Sequence, residues 1–190
     1  MKNIPPIKQK NSDLRPREFL TESEIEKLYS AAKKMGTFGY RNYCMLLISF
    51  KHGLRSSELL RLKKSQINLT ENVIHLKRVK NSISNSHPLS EPEIRALKKI
   101  MAQHHSDHVL ISRNNTPIRG RQWRETTKKI GLLANLKIDV HTHMLRHSTG
   151  YTLANKGTDT RTLQHFLGHK NIQNTVIYTE MSAERFKDIW

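Results

Sequence analysis

The sequence predicts a mainly α-helical domain with a small antiparallel β-sheet set among the helices, an α+β fold. Three observations carry that expectation. Apolar residues recur at three-to-four spacing through most of the chain, two capping-box signatures open long periodic stretches, and one short stretch instead alternates β-branched and polar residues. At 190 residues the chain is long enough for one domain with a real core and too short for two large ones.

Residues 1–18 hold three prolines, five basic residues and almost no periodic apolar pattern, which reads as a disordered or loosely docked basic arm. Residues 19–190 are then the folded domain, with no separate helical domain ahead of it. Folding is expected to begin at "LTESEIEKLYSAAKKMG", where Thr21 as N-cap and Glu24 three residues on form a capping box and Gly36 supplies the stop. A second helix should run through "YRNYCMLLISFKHG" to Gly53, and a short third one through "RSSELLRLKK". In "NVIHLKRVKNSISNSHPLS" the period changes to that of a hairpin or three short strands. Helical spacing resumes at "SEPEIRALKKIMAQHH", with a second capping box (Ser90, Glu93) and Pro92 in the first turn, where it is tolerated. "VLIS" reads as one more short strand. From Gly120 onward "RQWRETTKKIGLLANL", "HMLRHSTGYTLANKG", "DTRTLQHFLGH" and "NIQNTVIYTEMSAERFKDIW" read as helices, with Gly157 and Gly168 as stops.

Lys and Arg total 33 against 16 Asp and Glu, a formal charge of +17, which points to a polyanionic partner. The basic residues are spread along the helical patterns rather than gathered in one amphipathic segment, which favours a folded surface gripping nucleic-acid phosphates over a membrane-surface peptide. The lone cysteine, Cys44, lies in the apolar run "YCMLLISF" and reads as a buried core thiol, so no disulfide framework is expected. No stretch has the apolar length of a bilayer span, and the N-terminus lacks a signal-peptide core; a soluble, cytoplasmic protein with no membrane partner is expected.

Three pieces could carry chemistry. In "HTHMLRHS", His143 and Arg146 are three apart and share a helix face, with Met144 and Leu145 turned to the core; such a pair also arises by chance. In "HGLRSSELLRL", Arg55 opens a short helix and Glu58 lies one turn on, a carboxylate that can steady a guanidinium or simply form a solvated surface pair. In "LGHKNIQNTVIYT", Gly168 ends a helix, His169 is exposed at the turn, and Tyr178 follows nine residues later, where a half-buried core tyrosine is the plain alternative. Histidine groups in "HHSDH" (His104, His105, Asp107, His108) and at His141, His143 and His147 have no cysteine partner and no settled ligand geometry, and read as solvated rather than metal-binding.

Taken in order, "HGLRSSEL", "HMLRHS" and "LGHKNIQNTVIYT" resemble the first arginine box, the H-x-L-R-H box and the L-G-H segment with its tyrosine in the tyrosine site-specific recombinases, the lambda-integrase class. The wording and size are most similar to the short recombinases that invert promoter DNA in fimbrial phase switching. The resemblance covers about Leu20 to the end and implies the catalytic-domain fold of that family.

It also implies roles. Arg55 and Arg146 would bind the non-bridging oxygens of one phosphodiester, with Glu58 in support. Tyr178 would attack, forming a 3′-phosphotyrosine and releasing a 5′ hydroxyl. Lys80, eight residues before Pro88 on the hairpin, would protonate the departing oxygen, with Lys77 as its rival because the hairpin departs from the usual G-K-G pattern. His143 would exchange a proton with the tyrosine and His169 would donate to the phosphate. Arg61, Lys77, Arg78, Arg119, Arg121, Arg124, His147 and Lys170 are the expected DNA contacts. The partners implied are double-stranded DNA with short inverted repeats, further copies of the chain forming a tetramer in the synapse, and DNA-bending accessory proteins, at a bacterial nucleoid. Because the phosphotyrosine keeps the energy of the ester, neither metal nor cofactor is implied. A type IB topoisomerase-like nicking-closing enzyme and a DNA-binding regulator or excision accessory that has lost cleavage are the alternatives; the apolar positions of "MSAERFKDIW" (Phe186, Ile189, Trp190) would dock on a neighbouring copy or cap the same molecule.

Overall fold

The computed structural model describes residues 17–79 and 82–180. Among them α1 (Glu22–Lys33), α2 (Gly39–His52), α3 (Ser56–Leu60), α4 (Glu91–Met101), α5 (Gly120–Leu133), α6 (Thr142–Asn155), α7 (Thr160–Leu167) and α8 (Gln173–Glu180) surround one sheet of β1 (Ile67–Asn68), β2 (Val73–Leu76) and β3 (Asn85–Pro88). The strands run antiparallel in the order β1-β2-β3, with Ile67 opposite Ile74 and Ile74 opposite His87. This is the helical domain with a minor sheet that the periodicity predicts.

Local signals set the boundaries. Thr21 accepts from the backbone N–H of Glu24, whose carboxylate takes the N–H of Thr21, and Ser90 and Glu93 repeat the device at α4. Asp159 caps α7 through the N–H groups of Arg161 and Thr162. Two expectations need correction. Val109 and Leu110 in "VLIS" are buried but form no strand; only isolated bridges occur there, Lys63 with His108 and Ile111 with Pro117. The first strand lies upstream of the stretch that the alternation marked, at Ile67–Asn68.

The main core gathers Leu28, Met45, Leu46, Ile74, Leu97, Trp123, Ile130 and Leu145 from the helices and the sheet. Cys44 sits inside it fully buried, and burial pushes its thiol up to about 12, so it is inert at neutral pH. A second, smaller cluster joins α6, α7 and α8: Ala154, Leu163, Leu167 and Tyr178, with Tyr151, Leu153 and Phe166 against it. Arg17 and Glu18, placed in the arm by sequence, are tied to the folded body by an Arg17–Glu24 ion pair and a 2.9 Å contact between Glu18 and His141. The rest of the expected arm, and the apolar edge at Phe186, Ile189 and Trp190, lie outside the described residues. No helix among the described residues is long and apolar enough to cross a membrane.

Candidate active site

The site is built where two helices end beside each other. At their C-termini α2 and α7 expose carbonyls that no helical N–H can reach, and the helix dipoles make these ends attractive to cations. Arg146, on α6, donates one guanidinium nitrogen to the carbonyl of Gly53 and the other to that of Leu167, the latter at 2.7 Å. Arg78 donates to the carbonyls of His52 at 3.2 Å and Phe166 at 2.8 Å, and to Glu58 at 3.0 Å. Two guanidinium groups thus bridge the same pair of helix ends.

Arg55 is the N-cap of α3. Its N–H donates to one oxygen of Glu58 at 3.0 Å, and its guanidinium donates to the other at 3.0 Å and to Ser82 at 2.9 Å. Burial would raise the Glu58 carboxyl, but the Arg55 N–H and the Arg78 guanidinium outweigh it and hold it below the usual carboxylate range. Arg146 is 2 % exposed; burial, with Arg55 and Arg78 nearby, brings its pKa down to about 9. Three guanidinium groups therefore share one neighbourhood with the carboxylate of Glu58, and the excess of positive charge favours an anion.

The hairpin is stitched to the same place. Ser82 bridges to His169, the Ile83 N–H donates to the Gly168 carbonyl at 3.0 Å, and Asn85 donates to the carbonyls of His165 and Phe166. The approach requires glycine: Gly168 has φ 69°, and a Cβ there would stand 2.5 Å from the Ile83 carbonyl oxygen.

Tyr178 lies 2 % exposed against α6. Its hydroxyl is 3.0 Å from Nδ1 of His147, its ring meets that of Tyr151 edge-on at 5.3 Å, and a Cβ on Gly150 would come within 2.7 Å of it. His147, Gly150, Tyr151 and Ala154 follow the i, i+3, i+4, i+7 stripe of one helix face, which forms the berth for the ring. Burial raises the phenol to about 12 although Arg146 and Arg55 pull it down.

Sequence-based expectations fare differently by residue. Arg55, Arg146, His169 and Tyr178 converge. His169 is buried rather than exposed, its Nδ1 2.8 Å from the Thr175 hydroxyl, and burial followed by Arg146, Arg55 and Arg78 lowers it to about 3. His143 is exposed on the same helix face and meets His147 edge-on at 4.5 Å, with no hydrogen bond to Tyr178. Lys80 lies outside the described residues; Lys77 is exposed just past β2. Arg61, Arg119, Arg121, Arg124 and Lys170 are exposed, Arg121 being paired with Glu125 at 2.8 Å. Two of the expected DNA contacts have partners within the protein: the Arg78 side chain is wholly buried among carbonyls and Glu58, and the half-buried His147 has its Nδ1 3.0 Å from the Tyr178 hydroxyl. Among the described residues no group of three or more His, Cys, Asp or Glu side chains is arranged to hold a metal ion.

Residues 18–185 match the phage integrase family. The chain is 43% identical over 185 residues to the type 1 fimbriae regulatory protein FimB of Escherichia coli strain K12, covering 94% of this chain and 92% of that one. It is 36% identical over 181 residues to the FimE protein of the same strain, covering 92% and 91%. Its fold is similar to that of the XerH site-specific recombinase bound to palindromic difH substrate in a post-cleavage complex, with TM-score 0.78 and 25% identity over 98% of this chain and 56% of that one.

Proposed function

The chain belongs to the phage integrase family, the tyrosine recombinases, and from that premise we propose that it cuts and rejoins DNA at specific sites through a 3′-phosphotyrosine, inverting a short promoter-bearing element. The observation that carries the reading is the convergence of Arg55 and Arg146, from α3 and α6, beside the buried hydroxyl of Tyr178.

Attack on a phosphodiester builds negative charge on the two non-bridging oxygens, and donors fixed in advance at that position lower the barrier more than they bind the ground state. Arg146 is held by two backbone carbonyls and the Arg55 guanidinium by one oxygen of Glu58 and the Ser82 hydroxyl, so neither has to be ordered when the phosphate arrives. Tyr178 forms the bond to phosphorus, Lys80 supplies the proton to the departing 5′ oxygen, and His169, set by Thr175, faces the same pocket. Reversal with a second 5′ hydroxyl rejoins the strands.

The exposed Arg61, Lys77, Arg119, Arg124 and Lys170 supply phosphate contacts to the duplex, and the short inverted repeats place two or four copies of the chain on the sites they exchange. Neither a topoisomerase-like enzyme nor a regulator without cleavage is favoured, because the family exchanges strands and all the candidate residues are present in the sequence. Incubation with a plasmid carrying the inverted repeats that flank the source locus tests the reading: inversion of the intervening segment is expected, and relaxation of a repeat-free plasmid without inversion would overturn it.

A further inference from the structure

We propose that His147 is the group that takes the phenolic proton of Tyr178 when the strand is cut and returns it when the strand is rejoined. This rests on Tyr178 being the nucleophile, and departs from the role that the sequence resemblance gives to His143.

The hydroxyl of Tyr178 has one hydrogen bond among the described residues, to Nδ1 of His147 at 3.0 Å. Either Nδ1 accepts the phenolic hydrogen, or that hydrogen is buried without a partner, which costs about 1–3 kcal/mol. The Nε2–H tautomer of His147 satisfies the phenol. Burial, then His143, Arg146 and His141, outweigh Glu18 and lower His147 to about 4, so the imidazole is neutral and able to accept. With the phenol raised to about 12, the nucleophile is protonated at neutral pH and needs such an acceptor.

Position supports the chemistry. His147 stands on the stripe of α6 that receives the tyrosine ring, on the same turn of helix as Arg146. His143, one turn earlier and exposed, touches the His147 ring and not the hydroxyl. In the cutting step Tyr178 Oη bonds to phosphorus, the P–O5′ bond breaks, the phenolic proton passes to His147 Nδ1, and the 5′ oxygen takes a proton from the lysine side of the site. In rejoining, a 5′ hydroxyl attacks, the P–Oη bond breaks, and the His147 imidazolium returns its proton to Oη. The groups facing His147 are His141, His143 and Arg146 from α6 and its N-cap, Glu18 from the segment before α1, His169 from the turn after α7 and Tyr178 from α8.

The test is single-turnover cleavage of a nicked duplex by the full chain, comparing wild type with His147→Ala, His147→Asn and Tyr178→Phe. At neutral pH His147→Ala is expected to be slower by on the order of 10²- to 10⁴-fold. Its rate should then climb about tenfold per pH unit as the phenolate forms, and recover with added imidazole. A 5′-bridging sulfur leaving group, which needs no general acid, should not restore it. His147→Asn keeps an acceptor for the hydroxyl and guards against misfolding, and should show the same rise with pH. A loss equal at every pH, rescue by the sulfur substrate, or no loss would overturn the proposal. Cleavage by Tyr178→Phe would instead overturn the nucleophile on which it rests.

Discussion

Arg146 shows why the residue type, and not only its charge, matters. Its two nitrogens donate to carbonyls on different helices, and a lysine has one nitrogen and no planar fork. Arg146→Lys should therefore lower cleavage by on the order of a hundred- to a thousandfold, measured as covalent complex on nicked DNA, while DNA affinity changes little. Gly150→Ala places a methyl group within 2.7 Å of the Tyr178 ring, and no rotamer of an alanine avoids it. The overpacking should cost about 1–3 kcal/mol in denaturant unfolding and displace the tyrosine from its berth, reducing cleavage. At this scale the sequence points to Arg55, His143, Arg146 and Tyr178 through the resemblance of their segments to the family's boxes, not through spacing alone. Arg78 and His147 look like ordinary surface cations because what decides their place is contact with elements far along the chain: Phe166 for one, Tyr178 for the other. The small and aromatic stripe at His147, Gly150, Tyr151 and Ala154 is the signal that could have located the berth.

At the scale of elements, boundaries are the most legible part, because a cap is a local device. The Thr21–Glu24 and Ser90–Glu93 boxes and the glycines at 53 and 168 end or begin helices where the sequence places them. "VLIS" misleads because a short buried apolar run carries no period that separates strand from loop. How the hairpin joins α7 is not legible either, since Arg78, Ser82 and Asn85 act across 80 or more residues or through backbone carbonyls. Arg78 is the firmest stitch. Arg78→Met leaves Glu58 with one partner fewer and the carbonyls of His52 and Phe166 without their donor, and should lower stability by about 3–5 kcal/mol in urea unfolding. Arg78→Lys should recover only part, because an ammonium cannot span those acceptors in a fork. By contrast α8 is held by a small apolar cluster and by hydroxyl contacts to His147 and His169.

For the whole molecule, charge and histidine burial set the response to solution conditions. His87 and His169 fall to about 3 and His147 to about 4, below the ordinary value of 6.5. The unfolded chain therefore binds more protons than the folded one between those values, so stability is full above about pH 6.5 and is lost as pH falls toward 3 to 4. Melting temperature should decline across that window, and a flat profile would contradict the buried neutral histidines. A formal charge of +17 predicts that DNA affinity falls linearly on a log scale with rising salt; binding that barely changes would count against phosphate contacts as its main source. The most direct measurement is on the bond itself: nicked duplex from the inverted repeats flanking the source locus, incubated with the chain, denatured and digested for mass spectrometry. The 3′ phosphate is expected on Tyr178 and absent from Tyr178→Phe; an adduct on another residue, or one that persists in the variant, would contradict the account.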